Sequence, residues 1–586
     1  MVQSVCTPLI QSLIFSHQIY SFGTKSLLFY PKQPIFLFSM LLQPLDLLVF
    51  LGYAFLIIGM GFFVSREKQG HVKDSNDYFL ASKALPWWAV GASLIASNIS
   101  AEQFIGMSGS GFALGLAIAT YEWMAAATLL VVAIFFLPVY LKKGIYTMPG
   151  FLFDRYDARV RTTMAVFWLL LYVFVNLTSV LYLGALSLNT ILGIPMTYSI
   201  IGLALFAMLY SIYGGLKAVA WTDVIQVVFL IAGGLATTYI ALGMVGNGNA
   251  WQGLITLKNE VPGHFSMILS KGEMIISDGK GGTRDAYLDL PGLSVLIGGM
   301  WITNLSYWGF NQYITQRALA AKNLDEAQKG MIFAGFLKLL MPLIVVIPGI
   351  AALVIVNNGT DLGFIETMKD PVTGLIKSDR AYPSLLQILP TGLKGLAFAA
   401  LTAAIVSSLA SMANSTSTIF TMDIYAKYFG KNSSEAGKVR VGRITAVVAF
   451  IIAAIVAPAL GQLDQAFQFI QEYTGFISPG VFAIFFFGVF WKKTTSNAAL
   501  VGASLSIPLS VVLKVVFPAL PFIDRMGWVF VVLAVLMIGI SLVEGKGKDH
   551  PKSIEITKDL FQTSTGFKIG AILIVGIIAA LYTIFW

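Results

Sequence analysis

The sequence predicts an all-α integral membrane protein of about fourteen transmembrane helices, some of them discontinuous. Three observations carry that prediction. Of 586 residues, 57% are apolar and only 11% charged, whereas soluble domains carry about 25% charged residues. Mean hydropathy is +0.79. Apolar stretches near the roughly 20 residues needed to cross a bilayer recur along the chain. This balance argues against a cytosolic enzyme, a nucleic-acid binder and a secreted disulfide scaffold. The single cysteine, Cys6, cannot form an internal disulfide or a thiolate zinc site. His17, His71, His264 and His550 fall in polar connections or near the start, so no metal cluster suggests itself.

Taken in order, the spans fall at about 44–64, 86–113, 114–141, 162–192, 197–215, 220–247, 291–316, 330–357, 391–427, 440–460, 465–492, 496–516, 525–543 and 567–586. Basic residues crowd the connections after odd-numbered spans, among them Arg66, Lys68, Lys142, Lys143, Arg155, Lys322, Lys438, Arg440, Lys492, Lys546 and Lys552. The even-numbered connections hold far fewer. Cationic loops stay cytoplasmic, so both termini are expected outside. The +9 net charge then needs no nucleic acid. The polar connections 248–290 and 358–390 face outward, as plain connectors or as walls of a vestibule. Residues 1–43 read as a leader, disordered or not native, with Met40 a natural start; 44–64 is an extra N-terminal helix.

In lipid, every backbone polar group needs an internal partner and buried charge is expensive, so polar residues inside spans point to function. The second span contains Ser93-Leu94-Ile95-Ala96-Ser97-Asn98-Ile99-Ser100-Ala101-Glu102-Gln103. This patch suggests a broken helix whose freed carbonyls can ligate a cation; close helix packing by small residues is the plainer alternative. The seventh span repeats the theme over Thr303–Gln312. Two such interruptions, one early in each half, are the pattern of an inverted-repeat transporter.

In the ninth span Ala404, Ser407 and Ser408 share a helix face. One carbonyl and two hydroxyls, with the carbonyls of Ala96 and Ile99, would give five uncharged oxygens, a set that suits sodium better than calcium. The competing reading has both serines bonding back to their own helix. Glu122, Asp223, Lys338 and Glu472 are ionisable residues within or at the ends of spans. Lys338 lies about 13 Å along its helix from Lys329 at 1.5 Å per residue, too deep to snorkel fully. With Gln103, Asn304 and Gln471 these groups match a polyhydroxylated solute, on which Tyr307 or Trp308 can stack. Structural pairing, such as Glu122 with Lys338, is the alternative, and Glu102 reads as structural.

The stretches Asn98–Gly106, Tyr213-Gly214-Gly215-Leu216 through Trp221-Thr222-Asp223-Val224-Ile225-Gln226, and Gln471-Glu472-Tyr473-Thr474-Gly475 resemble the sodium:solute symporter family, in its bacterial sodium/galactose branch. The resemblance runs from about residue 45 to the C-terminus. It implies a five-plus-five inverted-repeat core, with repeats at 86–247 and 291–492 and C-terminal helices over 496–586. It implies sodium as coupling ion at Ala96, Ile99, Ala404, Ser407 and Ser408, and a hexose, galactose or glucose, at Gln103, Glu122, Asn304, Lys338 and Gln471. Tyr307 would stack as an inner gate, Met107, Tyr121 and Phe467 would form an outer gate, and Asp223 would line the sodium exit path. Two departures stand out: Ala125 replaces a sugar-contacting serine, and Ala410 replaces a serine of relatives with a second sodium site, which favours one sodium per sugar. The implied activity is symport across a bacterial inner membrane, without catalysis. Another cargo (sialic acid, proline, an organic acid) and a non-transporting sugar sensor stay open, as does the oligomeric state.

Overall fold

The computed structural model describes residues 42–65, 75–277, 282–359, 361–370, 373–462 and 466–586. Most of the leader expected over 1–43 lies outside these residues. The described chain is helical apart from connections and one hairpin, in which Ile275–Ser277 pairs antiparallel with Thr283–Asp285. Among the described residues, ten helices are long and apolar enough to cross a membrane, or twelve if each of two bent pairs is one span.

The expected spans fall on helices, with informative differences. The spans at 197–215 and 220–247 lie in one helical run, Met196–Val245, whose apolar parts are Met196–Leu209 and Leu216–Val245. The second span is in two pieces, Trp87–Asn98 and a helix resuming at Ala101. Its break is written in local chemistry. The Ser100 hydroxyl accepts the Glu102 N–H at 3.0 Å, and the Gln103 side chain returns to accept the Ser100 N–H at 2.9 Å. Together these bonds cap the start of a new helix in the manner of a capping box, with the serine hydroxyl meeting the second helical N–H in place of the third. The seventh span is interrupted at the end of the predicted stretch: Gly299–Phe310 is one helix, and Asn311 turns extended before Gln312–Leu319 begins. A further 79° bend precedes Gly299. The eleventh span also breaks, with Ala466–Thr474 and Ser478–Phe490 inclined at 45°.

Burial sorts the helices into a core and a lipid-facing shell. The apolar window of the run Leu393–Phe429 is 94% buried, against 22% for Thr565–Ile584 and 17% for Pro44–Gly61. The helix bearing Ala404, Ser407 and Ser408 is therefore innermost. Small residues permit this: Ala399, Ala400, Ala403, Ala404 and Ala410 are all essentially buried, and small side chains let backbones approach closely. Apolar residues remain exposed on the outer helices, including Leu209, Val535, Val543 and Ile572, as expected where the solvent is hydrocarbon.

Candidate functional site

Helix Trp87–Asn98 ends inside the protein, so its last carbonyls lack intrahelical partners and mark the negative end of its dipole. They face the innermost helix. The Ser408 hydroxyl donates to the carbonyls of Ser97 at 3.0 Å and Ile99 at 3.3 Å. Of the two carbonyls expected here, Ile99 is met by the serine, while the neighbouring Ser97 carbonyl is reached rather than that of Ala96. Ser407 does not bond to its own helix either. Its hydroxyl donates to Asp223 at 2.6 Å, and Ser93 donates to the other carboxylate oxygen at 2.5 Å. Ala96, Ile99, Ala404, Ser407, Ser408 and Asp223 are all buried. Both serines thus act between helices, and Asp223 stands one side chain from the oxygen cluster. Beyond it the Ser97 and Ser411 hydroxyls pair at 3.1 Å, and the buried Arg317 guanidinium donates to Ser411.

On the other side of the same break lies a partly open cavity. It gathers Gln103, Glu122, Asn304, Tyr307, Lys338 and Gln471 from five separate helical segments, with Ala125 in its wall. Lys338 and Glu122 are both almost wholly buried and pair at 2.5 Å. Lys338 also donates to the Asn98 amide oxygen, and its ammonium sits 5.0 Å from the Trp308 ring centroid. Buried charge needs such pairing, because an isolated ion in this setting is strongly destabilising. The Asn98 amide donates in turn to the Tyr307 hydroxyl at 2.8 Å, and Tyr307 bonds to Tyr313. A single asparagine at the break therefore joins the lysine–glutamate pair to the tyrosine.

Tyr121 and Phe467 line the cavity and meet edge to face, with centroids 5.2 Å apart. Phe467 fits closely because Gly106 opposes it: a Cβ on Gly106 would lie 2.9 Å from the Phe467 Cβ. Met107 is buried beside this contact in sequence but is not among the lining residues. Glu472 is a paired charge, held by Lys514 at 3.0 Å and by Arg525. Glu102 accepts from Ser179 at 2.7 Å and also lines the cavity.

Asn98, Ser93, Ser97, Ser411 and Arg317 complete these networks, in roles that sequence reasoning misses, and Trp308, expected as a stacking ring, faces the Lys338 ammonium. Their signal is present in part, since Ser93, Ser97 and Asn98 belong to the polar patch that marks the break. Arg317 gives none, because its position just past a span reads as an ordinary cytoplasmic cation.

Residues 78–505 match the sodium:solute symporter family. The chain belongs to that family. It is 54% identical over 546 residues to the sodium/glucose cotransporter of Vibrio parahaemolyticus, covering 92% of this chain and 98% of that protein. It is 35% identical over 477 residues to the sodium/glucose cotransporter 2 of Rattus norvegicus, covering 78% of this chain and 70% of the relative. The sodium/myo-inositol cotransporter 2 of Sus scrofa is 34% identical over 480 residues, at 80% and 70% coverage. Among solved structures, a substrate-bound outward-open Na+-coupled sialic acid symporter superposes with a TM-score of 0.72 at 22% identity, covering 86% of this chain and 98% of that one. That likeness supports the fold. The symporter is a multi-pass membrane protein, not an enzyme, and sodium is its coupling ion.

Proposed function

We propose that this symporter carries a neutral hexose, galactose or glucose, together with one sodium ion by alternating access. The observation that carries this reading is the state of Lys338. Its ammonium is already held by Glu122 and Asn98, so this lysine is not free to meet an acidic cargo. The cavity does offer amides, a hydroxyl and aromatic rings, which suit a polyol. The 54% identity to a sodium/glucose cotransporter supports the same cargo class.

In this reading sodium is held by the carbonyls of Ala96 and Ile99, the carbonyl of Ala404 and the hydroxyls of Ser407 and Ser408. The uncharged oxygen set suits a hard monovalent ion, and Asp223 receives it on the way inward. Gln103, Glu122, Asn304, Lys338 and Gln471 bind the sugar, Tyr307 closes it from within, and Met107, Tyr121 and Phe467 close it from outside. Sodium and sugar would share one helix break: the Ile99 carbonyl meets the Ser408 hydroxyl on the proposed sodium side, while the neighbouring Asn98 side chain lines the cavity on the sugar side. Coupling follows if sodium binds the two conformations unequally. The repeats are 86–247 and 291–492, with the breaks at Ile99 and Asn311 as their matched feature. The membrane is the bacterial inner membrane, with both termini outside.

Counterflow in proteoliposomes tests the cargo. Galactose or glucose on the trans side should accelerate uptake of labelled hexose, while sialic acid and proline should not. Acceleration by sialic acid or proline alone would overturn the hexose assignment. Hexose-evoked current without tracer accumulation would point instead to a sensor.

A further inference from the structure

The connection between the eighth and ninth spans is not a bare linker. Its short turn Ser378–Arg380 is buried, and the Asp379 carboxylate accepts the backbone N–H of Ala466 at 3.0 Å. Ala466 lies in helix Ala466–Thr474, which carries Phe467 and Gln471. The carboxylate thereby gives a buried backbone N–H of that helix its hydrogen-bond partner. The same carboxylate presses on the broken second span: a Cβ on Gly109 would lie 2.6 Å from the Asp379 Oδ1 and 2.9 Å from its backbone nitrogen. Gly106 and Gly109 are one turn apart, so Phe467 and Asp379 dock side by side on one face of that span.

We propose that Asp379 is a positioning residue for transport: it latches helix Ala466–Thr474 against Gly106 and Gly109 when the outer gate is closed. This rests on the transport reading above, in which Phe467 is part of that gate. Opening must pull Phe467 away from Gly106 and so break the carboxylate contact once per cycle. The latch stabilises only the outer-closed conformation, and a contact present in one state alone shifts the balance between the two.

The test uses the full-length chain in proteoliposomes, in a Cys6→Ser background carrying Ala125→Cys in the cavity wall. A membrane-impermeant thiol reagent applied from outside reports opening of the outer gate. Asp379→Ala should raise the labelling rate about tenfold, the factor given by ~1.4 kcal/mol. Without the Ala125→Cys change, Asp379→Ala should lower the maximal rate of hexose uptake without raising KM. Gly109→Ala attacks the same contact from the opposite side and should give the same two results, and it decides the matter if Asp379→Ala does not fold. Labelling at the parent rate in either folded variant, or a raised KM with unchanged labelling, would overturn the latch. Labelling needs no substrate, so it tests the latch even if the hexose reading itself fails.

Discussion

The two halves of the site use opposite electrostatics a few residues apart. The cavity is built around a buried ion pair, Glu122 with Lys338, bridged by Asn98 to Tyr307. The oxygen cluster is built from uncharged groups, with Ser408 spanning the carbonyls of Ser97 and Ile99. The carboxylate beside it, Asp223, is held back by Ser93 and Ser407. In the proposed reading the cavity takes a sugar, which brings no charge, so that pocket must arrive already neutralised. In the same reading the oxygen cluster takes a cation, which brings its own charge, so that cage can be left neutral and still favour occupancy. The contrast also predicts unequal tolerance: the cage fails when one oxygen is lost, while the pocket fails in stability when one ion is lost.

The largest effect is expected at the cage. Ser408→Ala removes the hydroxyl that joins both helices there, and sodium-driven hexose uptake should fall to the sodium-free rate. Flux measured against external sodium checks this, and a wild-type sodium dependence would merge the two regions' roles. Next comes the ion pair. Lys338→Ala strands a buried carboxylate and should destabilise the protein by about 3–5 kcal/mol, read as a lowered thermal transition in detergent. The double variant Glu122→Gln/Lys338→Met should recover most of that stability while hexose uptake stays lost. Equal destabilisation in both would show that the pair is not the cause.

Much of this arrangement is legible in the sequence. Polar residues stranded in apolar spans pick out Gln103, Glu122, Asn304, Lys338 and Gln471, because lipid makes such residues costly, and the cavity brings all five together. The break at Ile99 is legible for the same reason, and Ser100 with Gln103 spells the cap that enforces it. What sequence does not carry is which way a side chain turns across helices. Ser407 reaches Asp223 from 184 positions away in the chain, and Lys338 reaches Asn98 from 240. Spacing on one helix says nothing about such partners. Nor does hydropathy place the seventh-span break at Asn311, since the Thr303–Phe310 stretch is just as polar yet stays helical.

A smaller effect sharpens the pocket side alone. Ala125 lines the cavity one turn from Glu122, and Ala125→Ser would add a hydroxyl worth about 0.5–1.5 kcal/mol. Half-saturation for galactose or glucose should fall roughly two- to tenfold with sodium affinity unchanged. An altered sodium affinity would mean the two regions are less separate than their chemistry suggests.

The smallest effect lies outside both regions and serves as a control. His550, on the connection after the thirteenth span, accepts the Lys552 N–H at 3.2 Å and faces Arg155 at 3.5 Å. Burial, then Arg155 and Lys552, hold its imidazole below the ordinary value, against a weaker opposing pull from Asp157. A lowered value in the fold means the unfolded chain takes up the proton first. Stability should therefore be full above the unfolded value, near 6.5, and decline as pH falls below it. The thermal transition of the wild type should drop more between pH 7 and pH 5 than that of His550→Gln. Identical pH profiles would remove His550 from the account.

The coupling of the two regions is tested most directly by uptake of labelled galactose and glucose into proteoliposomes under an inward sodium gradient. Hexose should accumulate above its external concentration and leak back once sodium is equal on both sides. Accumulation that proceeds equally well with potassium or choline in place of sodium would contradict the central claim.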